Sequence, residues 1–389
     1  MPGMDEKSLH QLLDSALAGR PPLGPVVPNA LREGPKARRR RRIQGAAGGA
    51  VAAALIAVTI PATIGILGHT PGPAAGPGAG GLAGGPKFFA GIVAKPPGQV
   101  SAATVVNIYR SATGRVVASI RPPQPFHDFV AVSRLGGDRS FVAAAITAFS
   151  PTPCTSHLFR FSIDSQGHPS ELMPLSVPQV TTGQLGELVS SADGKTLAFT
   201  ASGCAPGPEI GMINLATRQT TTWIVPHREL GAGSLSLTAD GSRLGFLVAP
   251  VPDYPTPDAY VLPTDSPPGP LLRHARKMLH VPTGILRVVL SNNGSQAYVE
   301  TVYSRGGPLM LGQYSTTTGQ RVRLVGQLGR PAGRSYAVLS VTVDAGGQHL
   351  LAYKHAHRVK AVNLSTGHQA SVTIAQIPAL DTAENAAAW

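Results

Sequence analysis

Beyond about residue 87 the apolar residues come in short runs, and the runs pair about a polar dipeptide. In "LVSSADGKTLAFTASG", Leu188 to Gly203, two such runs flank Asp193-Gly194. "LSLTADGSRLGFLVA", "VVLSNNGSQAYVETV" and "VTVDAGGQHLLAYK" repeat the pattern, with a weaker copy in "VSRLGGDRSFVAAAI". Apolar runs split by Asp-Gly or Asn-Gly predict β-hairpins, because these residues tolerate positive φ and a two-residue turn keeps both strands in register. Aligning the turns places Asp138, Gly194, Gly241, Gly294 and Gly347 in one register. That spacing is near the roughly 40–50 residues of a propeller blade, with insertions.

Each hairpin is followed by a third apolar strand, a turn and a fourth strand, as in "IGMINLATRQTTTWIV", "MLGQYSTTTGQRVRLV" and "HRVKAVNLSTGHQASVTI". One four-stranded sheet cannot cover its own faces, whereas a ring of them buries each against the next. Upstream, "KFFAGIVA", "ATVVNIYRSATG" and "GRVVASI" supply three strands of a blade that lacks its first. The C-terminal "AENAAAW", ending on Trp389, stands where that strand is needed. The expectation is an all-β, six-bladed β-propeller over residues 87–389, closed by the C-terminal strand.

Before residue 87 the pattern changes. "IQGAAGGAVAAALIAVTIPATIGILG", residues 43–68, carries no charge, and about 20 apolar residues suffice to cross a bilayer as a helix. The basic run Lys36 and Arg38–Arg42 abuts its N-terminal end. By the positive-inside rule, residues 1–42 are then cytoplasmic and the propeller extracytoplasmic. The alternative is a cleaved signal peptide, against which stand the length of the apolar stretch and the lack of a small-x-small cleavage site. Gly45 and Gly49 form a GxxxG pattern that lets two such helices approach. Residues 69–86 are a Pro/Gly/Ala tether. Within the tail, Leu9, Leu12, Leu13, Ala16 and Leu17 fall on one face of a short amphipathic helix over residues 5–18, whose alternative is a tail with only transient helicity.

Composition agrees with this division. The 45 glycines and 36 prolines, with 14% charged residues, favour short strands and turns. The net charge of +13 is concentrated in part in the run beside the span, so no nucleic-acid partner is needed to explain it. The "SxDGxxLAF" units at Ser191–Phe199 and, less strictly, Thr238–Phe246 resemble the WD40-like repeats of TolB-type propellers. The layout of basic tail, single span and outer propeller resembles a group of uncharacterised actinobacterial single-pass membrane proteins. This resemblance implies a fold over 87–389 and leaves the activity open, since propellers serve many functions.

No nucleophile elbow, phosphate loop, HExxH or paired-Cys motif occurs in a supporting context, so neither a catalytic residue, a cofactor nor a metal is expected. His355 and His357 could share a strand face but lack a third ligand in sequence. His127-Asp128 reads as a polar pair at the start of a strand. The connections between second and third strands are long and Pro-rich and share one face. Asp253, Tyr254, Asp258, Tyr303 and Arg305 are candidate binding residues there, with Lys354, His355, His357 and Arg358 adding a basic tip. Cys154 and Cys204, the only cysteines, fall in such connections of adjacent blades, and an extracytoplasmic disulfide between them is expected.

Two function classes follow. One is a non-catalytic recognition or scaffold domain for a protein or cell-surface ligand, with the N-terminal helix contacting a cytoplasmic regulator on family analogy. The other is a propeller enzyme, a hydrolase or lyase. The inner strands read as apolar, Ser and Thr rather than as converging acids, which favours the first.

Overall fold

Hydrogen bonding sorts the strands of the computed structural model into six sheets, one per expected blade, antiparallel but for one added strand. The structure describes residues 85–93, 103–147, 155–177, 183–203, 208–225, 230–250, 257–280, 284–302, 307–329, 341–354, 358–373 and 387–388. The chain divides into two units, Met1–Ala74 and Ala75–Trp389, and all described residues belong to the second. The tail helix, the span at 43–68 and almost all of the linker therefore lie outside the described residues. Among those described, no helix is long and apolar enough to cross a membrane.

Blades 2 to 6 begin on Asp128–Arg134, Gly183–Ser190, Leu230–Leu237, Ile285–Leu290 and Val341–Val343, which form the inner ring. Blade 1 takes its inner strand from the other end of the chain. Ala387–Ala388 pairs antiparallel with Phe88–Val93, Ala388 opposite Ala90 and Ala387 opposite Gly91. The expected closure is thus observed, and it ties the two ends of the domain into one sheet.

Alternation fills the space between blades. Phe129, Phe141, Phe159 and Phe161 of blade 2 pack against Phe88, Val106 and Ile108 of blade 1, and similar clusters join the blades that follow. The inner edges raise a second problem, because an edge strand leaves N–H groups unpaired. Hydroxyls of the preceding blade meet this need in part: Ser234 and Ser236 each accept, at 2.8 Å, from Val288 N and Leu290 N. Thr104 Oγ1 accepts from Phe129 N at 2.6 Å and Ser156 Oγ from Leu185 N at 3.2 Å.

The Asp-Gly turns differ from the two-residue geometry expected. Gly194 N donates to Ser191 O and Ser191 N to Thr196 O, so four residues separate the paired strand ends. Asp193 is third in the turn, where Oδ1 accepts from Ser191 Oγ at 2.6 Å and Lys195 N at 3.0 Å. Asp240 and Asn293 do the same in blades 4 and 5. These bonds to the charged form, Ser242 N first among them, hold the Asp240 carboxyl down at about 2. The glycine has a further reason. Gly194 has φ +69°, and a Cβ there would lie 3.0 Å from Gly136 Cα of the neighbouring turn. Successive turns are also bonded together, Asp193 N to Ala239 O and Ala239 N to Asn292 O. The repeated tetrad therefore serves contacts between blades as well as the hairpin itself.

One element breaks the repeat. Between its third and outer strands, blade 4 inserts Gly269–Pro270 and a one-turn helix, Leu271–His274. Gly269–Pro270 adds in parallel to the outer strand of blade 3, Thr220–Ile224, as a fifth strand. It closes over Trp223, which is fully buried and whose Nε1 donates to Pro267 O at 3.1 Å.

Candidate functional site

The disc presents two faces and a channel. On the face opposite the Asp-Gly turns, the second strands end and the third strands begin. Asp258 starts the third strand of blade 4, Asp258–Pro263, and gathers two basic side chains from the outer strand, Arg276–His280. Lys277 Nζ lies 2.6 Å from Oδ2 and His280 Nδ1 lies 2.6 Å from Oδ1. The hydrogen bond to Asp258 raises the Lys277 pKa, and burial followed by the Asp258 charge raises that of Tyr260. Lys277 and His280 were not singled out in the sequence. Their partner lies some twenty residues earlier, and only strand register joins them.

The other candidates fall short of description. Lys354 ends the second strand of blade 6 and Arg358 begins its third, with the two backbones paired. Asp253, Tyr254, Tyr303, Arg305, His355 and His357 lie outside the described residues, as do Cys154 and Cys204.

The inner ring carries more charge than the sequence reading allowed. Glu187, Arg287, Arg134 and Asp128 all stand on inner strands, correcting the view that these hold only apolar, Ser and Thr positions. Glu187 and Arg287 occupy equivalent places at the bulges of blades 3 and 5, with Ser234 of blade 4 between. Glu187 is 0% exposed and Arg287 7%. Glu187 Oε1 accepts from Arg287 Nη1 at 2.7 Å and Oε2 from Leu235 N at 2.6 Å, so one carboxylate ties three blades. Asp128 is buried too, accepting from Thr104 N at 3.0 Å, with His127 Nδ1 3.2 Å away, which is the polar pair expected at that strand start.

Glu300 stands opposite Arg287 on the second strand of blade 5. It is 1% exposed, and among the described residues neither side-chain oxygen has a hydrogen-bond partner, nor does Thr301 Oγ1 beside it. Burial raises the Glu300 carboxyl to about 8, with the Arg287 charge opposing. The group is therefore a neutral acid at physiological pH.

At the Asp-Gly-turn mouth of the channel lies a cavity of about 70 Å³ lined by Arg134, Ser190, Ser236, Asn292, Thr342 and Asp344, among others. Asp344 is engaged on both oxygens: Oδ1 accepts from Gln348 N and His349 N, and Oδ2 lies 2.8 Å from His349 Nδ1. Among the described residues, no group of three or more His, Cys, Asp or Glu is placed to hold a metal ion.

No family model matches the sequence, and no curated protein does. Solved structures do. TolB from Acinetobacter baumannii superposes with a TM-score of 0.53 at 15% identity, over 78% of this chain and 66% of that one. This chain thus spans about two thirds of the length of that protein. Kuenenia stuttgartiensis hydrazine synthase matches at a TM-score of 0.41 and 15% identity, over 67% and 71% of the two chains. The tricorn protease matches at 0.43 and 12%, over 74% and 30%. At such identities the likeness concerns the fold alone, and that fold is a six-bladed propeller of the TolB type.

Proposed function

We propose that the chain is a membrane-anchored, extracytoplasmic propeller acting as a non-catalytic recognition or scaffold domain. It presents the loops between second and third strands to a protein or cell-surface ligand, and its cytoplasmic helix contacts a regulator. The observation that carries this reading is the use of the inner-ring charges. Glu187 and Arg287 are spent on each other and on Leu235 N–H, so they tie blades together rather than face a substrate. A rigid ring bearing long loops is the arrangement on which binding residues concentrate. The anchor rests on the uncharged stretch 43–68 and its flanking arginines.

The experiment pairs topology with loop substitution. A Ser15→Cys variant stays unlabelled by an impermeant thiol reagent on intact cells, whereas a cysteine introduced at Ser365 is labelled. The reverse pattern overturns the orientation, and a mature protein that starts after residue 70 turns the span into a signal peptide. Combined alanine substitution of Asp253, Tyr254, Tyr303 and Arg305 abolishes site-specific crosslinking from that face to its surface partner and leaves the melting temperature unchanged. Crosslinking that survives the substitution moves recognition elsewhere.

The second reading is a hydrolase or lyase acting at the cell surface. Glu300 favours it, because a buried carboxyl with a raised pKa is the kind of group that general acids use. Loss of cellular function on Glu300→Gln, with stability kept, would select that reading.

A further inference from the structure

We propose that the rim of blades 5 and 6 docks on the anionic lipid headgroups of the bilayer. This rests on the membrane anchor proposed above and adds to it a surface that orients the disc. Residues 285–373, which make both blades, carry nine Lys and Arg against two carboxylates, Glu300 and Asp344. Neither carboxylate offsets them at the surface. Both are buried, and Asp344 is held by Gln348 N, His349 N and His349 Nδ1. Arg287 is turned to Glu187 inside the ring, so the described charges that these two blades turn outward are all positive.

The outer strand of blade 5, Arg321–Gly329, brings this charge to an edge that also bears apolar side chains. Val322 is 54% exposed and Leu324 50%, flanked by exposed Arg321 and half-buried Arg323. Arg323 donates from Nε to Gln313 Oε1 at 2.5 Å, and from Nη1 and Nη2 to Ser365 O and Leu364 O of blade 6. Those bonds go to uncharged oxygens and join the two rims. Lys360 Nζ adds a cation that donates to Gln327 O and Gln369 Oε1. A diffuse basic surface with two protruding apolar side chains suits a plane of headgroups, where each cation near the lipid strengthens binding about fivefold. A partner strand suits it less. Three bulges interrupt the pairing of this strand with Leu309–Ser315 and break the straight edge that strand addition needs. The anchor also favours the bilayer, because blade 6 stands beside blade 1, where the tether enters at Phe88, and residues 69–86 reach at most about 60 Å when extended.

The full-length chain in nanodiscs of phosphatidylcholine, alone or mixed with phosphatidylglycerol, tests the surface by energy transfer to a headgroup-labelled lipid. The donor sits on Gln320→Cys, beside the rim of blade 5, or on Gln166→Cys, in blade 2 across the ring, with the unsubstituted chain as the labelling background. Transfer should rise with phosphatidylglycerol for Gln320→Cys and not for Gln166→Cys, and high salt should abolish the rise. Arg321→Gln and Lys360→Gln should each lower the ratio of docked to undocked chain about fivefold. Val322→Ser, at an exposed position, should lower it too and leave the melting temperature unchanged. Equal transfer in both lipids, or equal responses from the two labels, would overturn the proposal and leave the sector to an acidic protein. Loss of the chain from the discs, or a mature start after residue 70, is failure of the anchor instead. The propeller is then sedimented with phosphatidylglycerol vesicles, where binding that salt reverses upholds the surface and no binding overturns it.

Discussion

Arg287 of blade 5 donates to Glu187 of blade 3 across the inner strand of blade 4, 2.7 Å from atom to atom and a hundred residues apart in sequence. Because both groups are withdrawn from water, removing one leaves an uncompensated charge inside the ring. Glu187→Gln or Arg287→Met should each lower stability by about 3–5 kcal/mol. The double replacement should recover part of that loss. Denaturant midpoints for the four proteins give the coupling directly, and additive losses would mean that the pair does not hold the blades together.

Glu300 makes stability depend on pH in one window. Its folded pKa, about 8, stands above the unfolded value of 4.5. Between the two, the unfolded chain has released the proton that the folded chain keeps. Stability from this group is therefore complete below the unfolded pKa, falls as pH rises toward 8, and levels off above. Glu300→Gln should be stabilised relative to wild type by a margin that grows across that interval. A constant difference between their melting temperatures from pH 5 to pH 9 would contradict the assignment.

Arg218 occupies a place that other blades give to glycine. Its N–H closes the turn to Asn214 O, as Gly114, Gly319 and Gly367 do to Arg110, Ser315 and Asn363, and its φ is +60°. A side chain costs about 1 kcal/mol or more in that region. Arg218→Gly should therefore raise stability by about 1 kcal/mol, less the entropy that glycine adds to the unfolded chain. A loss of stability would show that the Arg218 side chain makes a compensating contact.

Much of the architecture was legible because five of the six blades state their own turn. Asp193, Asp240 and Asn293 recur at one register, and the lone triplet of strands at the start of the domain demanded a partner that the C-terminus supplies. The turn geometry was misread because an Asp-Gly pair alone does not count the residues between paired strand ends. That count depends on Ser191 and Thr196 pairing outside it. The strap over Trp223 left no signal, since a two-residue strand, Gly269–Pro270, has no alternation to detect. The charges of the ring were missed for a related reason. Glu187 and Arg287 sit at bulges, where the period of two fails, and their partnership is set only by the closing of the ring.

That closing is the central claim, and deleting Ala383–Trp389 tests it most directly. The deletion removes the strand opposite Ala90 and Gly91, opens blade 1 on its inner edge and parts the two ends of the domain. Measured by thermal unfolding and limited proteolysis, the truncated chain should melt well below the intact one and be cut far faster within the propeller. An unchanged melting temperature and an unchanged digestion rate would contradict closure by the C-terminal strand.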